Sequence, residues 1–173
     1  MKKSAIILIS ICLFFVFGVG IAQAEKIAFV NTEKVVKKSP QSASILKALE
    51  SEFKKRNDSL LNQRKKLKKL EDKLTKDQAI MSSSEAKNVQ QDIRRLRREL
   101  NNSSAEFRED LNLRRSEEIN KLLRKISEVV IAIGKSEKID IILSSGVAYA
   151  SDSVDISDKV LKKLEQDYNK GKK

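Results

Sequence analysis

Between Gln41 and Gly134 the chain contains neither proline nor glycine, and its apolar residues recur at helical spacing. Leu46, Phe53, Leu60, Leu67, Leu74 and Met81 stand seven apart, six apolar positions out of six. Three residues further along each repeat lie Leu49, Arg56, Gln63, Leu70 and Asp77, of which only two of five are apolar. A seven-residue period selects a left-handed supercoil against a partner helix, and the half-polar second row makes that seam thin. Ser82-Ser83-Ser84-Glu85 interrupts the pattern: Ser82 or Ser83 can cap a new helix, with Glu85 in its first turn. Ala86, Val89, Ile93, Leu96, Leu100 and Phe107 then continue the heptads. The phase slips between Ser103 and Glu118, where Leu111 and Leu113 leave the rows. It recovers as a wider stripe through Ile119, Leu122, Leu123, Ile126, Val129, Val130 and Ile133, of the kind that faces a core. The pattern predicts an antiparallel helical hairpin over 41–118 with its tip near 82–84. Each helix would hold about 40 residues and span roughly 60 Å.

The flanks read differently. Lys26 to Asn31 is a β-branched and aromatic run, a first strand, and Thr32 caps a short helical turn through Lys38. Ser39-Pro40 is an N-cap followed by a first helical residue. Ile139 to Ser144 predicts a second strand, Ser145-Gly146 a turn and Val147 to Ala150 a third strand. Asp155-Ile156-Ser157 caps a last helix carrying Val160, Leu161 and Leu164, and 169–173 form a frayed tail. Residues 25–40 and 119–173 would make the body, with Ile27, Phe29, Ile141, Leu143, Val147 and Tyr149 in its core or between its copies. Set apart from the arm, this body has roughly 65 residues, near the lower limit for a self-sufficient core. Three strands leave open edges, and no disulfide or metal is on hand to staple them, so several copies closing one core is the simplest solution.

The first 24 residues are an address. Lys2 and Lys3 precede an apolar run from Ala5 to Ala22, and Ala22-Gln23-Ala24 is a small-x-small cleavage site. The rival is an uncleaved anchor; Gly18, Gly20 and the two alanines favour cleavage after Ala24. Ile11 is bulky where a lipidation site needs a small residue, so Cys12 is a passenger. The mature chain keeps 34 of 36 basic residues, losing Lys2 and Lys3, against 24 acidic ones, a net +10. It holds no cysteine, which suits an oxidising compartment.

Charge is uneven. From Arg64 to Arg98 there are 12 basic and 5 acidic residues, so these 35 carry +7. Arg64, Lys65, Lys66, Lys68, Lys69 and Lys73 on the way out are answered by Arg94, Arg95, Arg97 and Arg98 on the return. Like charges held together are unfavourable, which points to an acidic partner rather than to a merely solvated helix surface. Catalysis finds no support. The absence of histidine removes imidazole bases and ligands, glycine is too scarce for a phosphate loop, and the carboxylates are interleaved with bases. Asp152, Asp155 and Asp158 are read as caps and turn residues rather than calcium ligands. No cofactor and no metal is expected. Tyr149 is expected to pack within the small sheet.

In the order of these segments the chain resembles the Skp (OmpH) family of periplasmic chaperones of Gram-negative bacteria. The likeness runs through Lys26-Ile27-Ala28-Phe29-Val30-Asn31, Glu52-Phe53-Lys54, Arg114-Arg115-Ser116-Glu117-Glu118, Ile139 to Leu143, Val147-Ala148-Tyr149 and Asp155 to Leu161. It covers essentially the whole mature chain. The resemblance implies an α+β trimer, with a small β-barrel body and one coiled-coil hairpin arm per subunit. It further implies that the arms hold unfolded outer-membrane β-barrel proteins without nucleotide until insertion. Basic arm tips in such proteins are thought to favour anionic lipid or lipopolysaccharide. The turn at Ser144 to Gly146 is shorter than usual in the family, and Ser157 stands where threonine is common. Two other readings fit the charge: a basic nucleic-acid binder and an envelope tether held by an uncleaved leader. A leader removes the chain from nucleic acid, and the basic tip lacks stacking aromatics.

Overall fold

The computed structural model describes residues 25–171. The leader, its cleavage point after Ala24 and the last two lysines lie outside the described residues. The elements are β1 (Ile27–Phe29), α1 (Thr32–Lys38), α2 (Pro40–Asp77), α3 (Ser83–Glu137), β2 (Ile141–Leu143) and α4 (Ser157–Lys170).

The helix starts follow local chemistry. Asn31, rather than Thr32, caps α1: it is extended, and its Oδ1 accepts the amide of Lys34 at 2.8 Å. Asparagine is the stronger cap of the two. Ser39 and Pro40 open α2 as expected, with Ser39 Oγ accepting the Ser42 amide at 3.3 Å. Ser82 Oγ accepts the Glu85 amide at 3.2 Å and starts α3. α3 runs for 55 residues against 38 in α2, so the two are not equal. Nothing in its sequence breaks the helix, and it continues across 118–119 into the body, where Gly134 stays helical. Gly134 is useful there, because a Cβ would meet Ile142 Cδ1 at 3.0 Å; its absence lets α3 approach β2 closely. The helix stops where Lys138 turns left-handed (φ 51°) and the Gly134 carbonyl accepts the Ile139 amide at 2.9 Å.

α2 and α3 lie side by side in opposite directions. Glu71 bonds Arg97, Arg56 pairs with Asp110 at 2.7 Å, and Glu52 pairs with Arg114 at 3.1 Å, so residue numbers fall on one helix as they rise on the other. The buried seam residues are Leu49, Phe53 and Leu60 on the lower half of α2, and Val89, Ile93, Leu96 and Leu100 on the distal half of α3. Leu67, Leu74 and Met81 are half-buried, as two helices without a third cover only part of each seam residue. Leu46 is a correction: it is 56% exposed, and Leu49 takes its place. At 3.6 residues per turn the seven-residue row drifts across the helix face, so the row changes near the base.

The body packs β1, α1, the end of α3 and α4 around Ala28, Val30, Val35, Leu122, Ile126, Val129, Ile156, Val160 and Leu164. β1 and β2 pair in parallel, with Ile27 opposite Ile141 and Phe29 opposite Leu143. Alternation along the strands turns Ala28 inward and leaves Ile27, Ile141 and Leu143 exposed. These three are therefore not in the chain's own core, and Phe29 and Val147 are only half-buried. The third strand is absent among the described residues, and Tyr149 is 84% exposed instead of packed. A two-residue hairpin needs a positive φ at its first central residue, whereas only Gly146 (φ +71°) has one here. The far edge of β1 is taken by another segment: the Phe29 amide donates to the Val154 carbonyl, and the Ile156 amide to the Phe29 carbonyl, each at 2.8 Å. At the end of the chain Asn169 and Lys170 are helical, not frayed.

Candidate functional site

Two surfaces stand out, one at each end of the molecule. In the body, the outer side of the strand pair shows Ile27, Ile141 and Leu143 beside Phe29, an apolar patch that the described residues leave nearly half exposed. It is anchored from behind. The Lys26 amide donates to Asp140 Oδ2 at 2.7 Å, and the Lys26 ammonium donates to the Glu137 carbonyl at 3.0 Å, at the negative end of α3. The Asn31 amide donates to Ser157 Oγ at 2.8 Å, so the segment that follows β1 is fixed to α4 as well.

At the far end lie the basic residues. Lys68, Lys73, Arg95 and Arg97 have acidic partners: Asp72, Glu85, Asp92 with Glu99, and Glu71. Arg64, Lys65, Lys66, Lys69, Arg94 and Arg98 form no ion pair among the described residues. Lys65 and Lys69 fall on the side of α2 away from its seam, and Arg94 and Arg98 on that of α3, by helical spacing. The structure thus brings the two basic runs to similar height on the arm while turning many of their heads outward.

Lower on the arm the helices are clasped. Arg56, which looked like a flaw in the second heptad row, pairs with Asp110 and places its guanidinium 5.7 Å from the Phe53 ring centre and 5.9 Å from that of Phe107. Those rings meet edge to face at 5.6 Å. Arg114 bonds Glu52 and Glu117, in that order of influence, which hold its pKa above the usual guanidinium range. The clue available in the sequence was an aromatic in the apolar row of each helix, Phe53 and Phe107. The register that joins them to Arg56 depends on the hairpin.

The body also has a pH-sensitive joint. Burial pushes the Asp155 carboxyl up, but the hydroxyl and amide of Ser157, the latter donating to Oδ1 at 2.7 Å, with the Lys34 charge behind them, bring it below the ordinary carboxylate range. A group whose folded pKa is depressed contributes stability above its unfolded value, about 3.9, and loses it as pH falls through the folded one. The urea midpoint should therefore decline as pH falls below about 5. Asp155→Asn should lower the midpoint at neutral pH and flatten that decline; a slope equal to that of the parent chain would assign the acid response to other groups.

Among the described residues no group of His, Cys, Asp and Glu is arranged to hold a metal ion, and no helix is long and apolar enough to cross a membrane. Residues 26–164 match the family model described as "Outer membrane protein (OmpH-like)". The chain belongs to the OmpH-like family. Relatives are similar over most of their length. A protein named chaperone protein Skp from Pectobacterium atrosepticum is 32% identical over 146 residues, 84% of this chain and 88% of that one. Its namesake from Photorhabdus laumondii is 32% identical over 149 residues, 86% and 90% of the two chains. A solved structure of a putative outer membrane chaperone (OmpH-like) from Caulobacter crescentus superposes with a TM-score of 0.70 at 12% identity, over 83% of this chain and 85% of that one. That likeness concerns the fold.

Proposed function

We propose that this OmpH-like protein is an ATP-independent holdase of the periplasm. It would keep unfolded outer-membrane β-barrel proteins from aggregating and pass them on for insertion. The observation that carries the proposal is a long, mostly exposed helix pair with a basic far half, standing on a body whose apolar sheet face is uncovered. Uncovered apolar faces of this kind mark interfaces. On this basis residues 25–40 and 119–173 form the assembling body and 41–118 the coiled-coil arm. Three copies close a shared sheet around Ile27, Phe29, Ile141, Leu143 and Val147, with Tyr149 at its border, and three arms enclose a cavity. The family resemblance supplies the number three. The leader 1–24 directs export and is removed after Ala24.

Unfolded barrel chains expose alternating apolar residues and unpaired strand edges. Many weak contacts from three arms hold such a guest through avidity, and a basic distal surface attracts an acidic one. Release needs no nucleotide, since folding into the membrane competes the weak contacts away. The same basic surface would meet anionic lipid or lipopolysaccharide, and no physiological nucleic acid is proposed. The test is light scattering as a urea-unfolded barrel protein is diluted into buffer. Stoichiometric trimer should suppress scattering several-fold, and undiminished aggregation would count against holding. Intact mass separates the tether: a mature start at Glu25 excludes an anchored chain.

A further inference from the structure

The lower half of the arm has two unlike faces, and we infer that only one of them receives the unfolded guest: the apolar groove along Leu46, Phe53, Phe107 and Leu111. This inference rests on the holdase reading and assigns that activity to a surface.

Helical spacing and the contacts agree on the division. Arg56, Asp110, Glu52, Arg114 and Glu117 lie on one side of the seam, where they bond one another across and along the helices. That side is closed by charge. The groove opens on the other side, lined by Leu49, Phe53, Phe107 and Leu111, with Glu50 on its α2 wall and Arg115 on its α3 wall. Leu46 (56% exposed) and Leu61 (42% exposed) lie along the same side of α2, and so does Arg64 just beyond, with Lys65 turned further outward. Lys54 on the rim is already neutralised by Asp58 at 3.0 Å, whereas Arg64 and Lys65 have no acidic partner among the described residues.

The track therefore runs from apolar to basic along one face. Its complement is an extended chain that offers apolar or aromatic side chains together with carboxylates. An unfolded barrel strand alternates apolar residues with polar ones and fits both parts. A second copy of this basic chain would bring like charge to the distal end, so the guest is the occupant the charges favour.

The mature chain has no cysteine of its own, which makes single-cysteine labelling direct. The full-length mature protein carries a polarity-sensitive thiol dye at Leu46→Cys, Leu61→Cys or, on the clasped side, Leu113→Cys. Leu113 is 58% exposed, so it tests exposure without the groove. The probe is a urea-unfolded eight-stranded outer-membrane barrel protein. Its capture should shift the Leu46→Cys and Leu61→Cys dyes to the blue and leave the Leu113→Cys dye unchanged. Leu46→Asn with Leu61→Asn should weaken capture about tenfold, and Leu113→Asn by less than about twofold. An equal response from the Leu113→Cys dye overturns the assignment. So does an unlabelled protein that suppresses aggregation while all three dyes stay silent, a result that leaves holding intact. A blue shift that follows protein concentration without guest overturns it in favour of a second copy. Failure of the unlabelled protein to suppress aggregation removes the holdase reading and this inference together.

Discussion

Ile141→Asp should reduce the proposed trimer to single copies in sedimentation at micromolar concentration. Ile141 lies opposite Ile27 in the strand pair, and both are nearly half exposed in the single chain. If partner subunits cover this face, each copy buries two large aliphatic side chains there, with Phe29 and Leu143 beside them. Covering the exposed half of one isoleucine contributes on the order of 1 kcal/mol. A carboxylate in its place loses that and must also be taken out of water without a partner, at a further cost of several kcal/mol. The substitution occurs once in each copy, so the effect repeats around the assembly and should exceed a thousandfold in association. The arm should keep most of its far-UV helical signal, while the body melts early for want of a covered sheet. An unchanged sedimentation mass would place the contact between copies on another surface.

The same strands show how far the sequence could be read. Ser39-Pro40, the run without glycine or proline, and the serines at 82–84 all act locally, within a turn of where they stand. They placed both long helices and the reversal between them. The strand pair was legible for a similar reason, since Ile27 to Phe29 and Ile141 to Leu143 are short apolar runs with polar neighbours. What was not legible depends on distant partners. Val147 to Ala150 has strand-like composition, but Val154 to Ile156 occupies the edge of β1, and the turn at Gly146 does not send the chain back along β2. Tyr149 was placed with that strand and is exposed with its loss. Leu46 fitted the seven-residue row, yet the slow drift of a helix against that period hands its place to Leu49. In the candidate site the charge cluster was visible as composition, and the pairing of Lys68, Lys73, Arg95 and Arg97 with carboxylates was not. The two faces of the lower arm were hidden for the same reason, because they exist only once the register of α2 against α3 is known.

Neutralising Arg64, Lys65, Arg94 and Arg98 together as glutamines should weaken capture of an acidic barrel protein about tenfold at low salt. These four have no acidic partner among the described residues, so their removal breaks no ion pair and should leave the thermal midpoint nearly unchanged. The distal surplus of 12 basic over 5 acidic residues, +7, falls to +3. Exposed charges act over about 10 Å at 0.1 M salt and about 3 Å at 1 M. The difference between the parent and the variant should therefore close as salt is raised, and the residual affinity at about 1 M should be common to both. That residue of binding is the apolar share. Capture of a barrel protein with positive net charge should be indifferent to the four substitutions or slightly improved. Equal loss for acidic and basic guests, undiminished by salt, would mean that these side chains act through the shape of the arm and not through their charge.

The body brings together two ends of the chain that are made far apart in time. Lys26, at the start of the first strand, bonds Asp140, which lies 114 positions later. A polypeptide made from its N-terminus thus delivers one half of the sheet long before the other half exists. Loops of that length close slowly when they are floppy. Here the intervening segment can zip from its own reversal, each turn of α2 finding α3 next to the last, until the two remote strands are carried into reach. Closure of the arm should then be the step that lets the base form, and a delayed zip should be seen as late burial of β1 in pulsed hydrogen exchange.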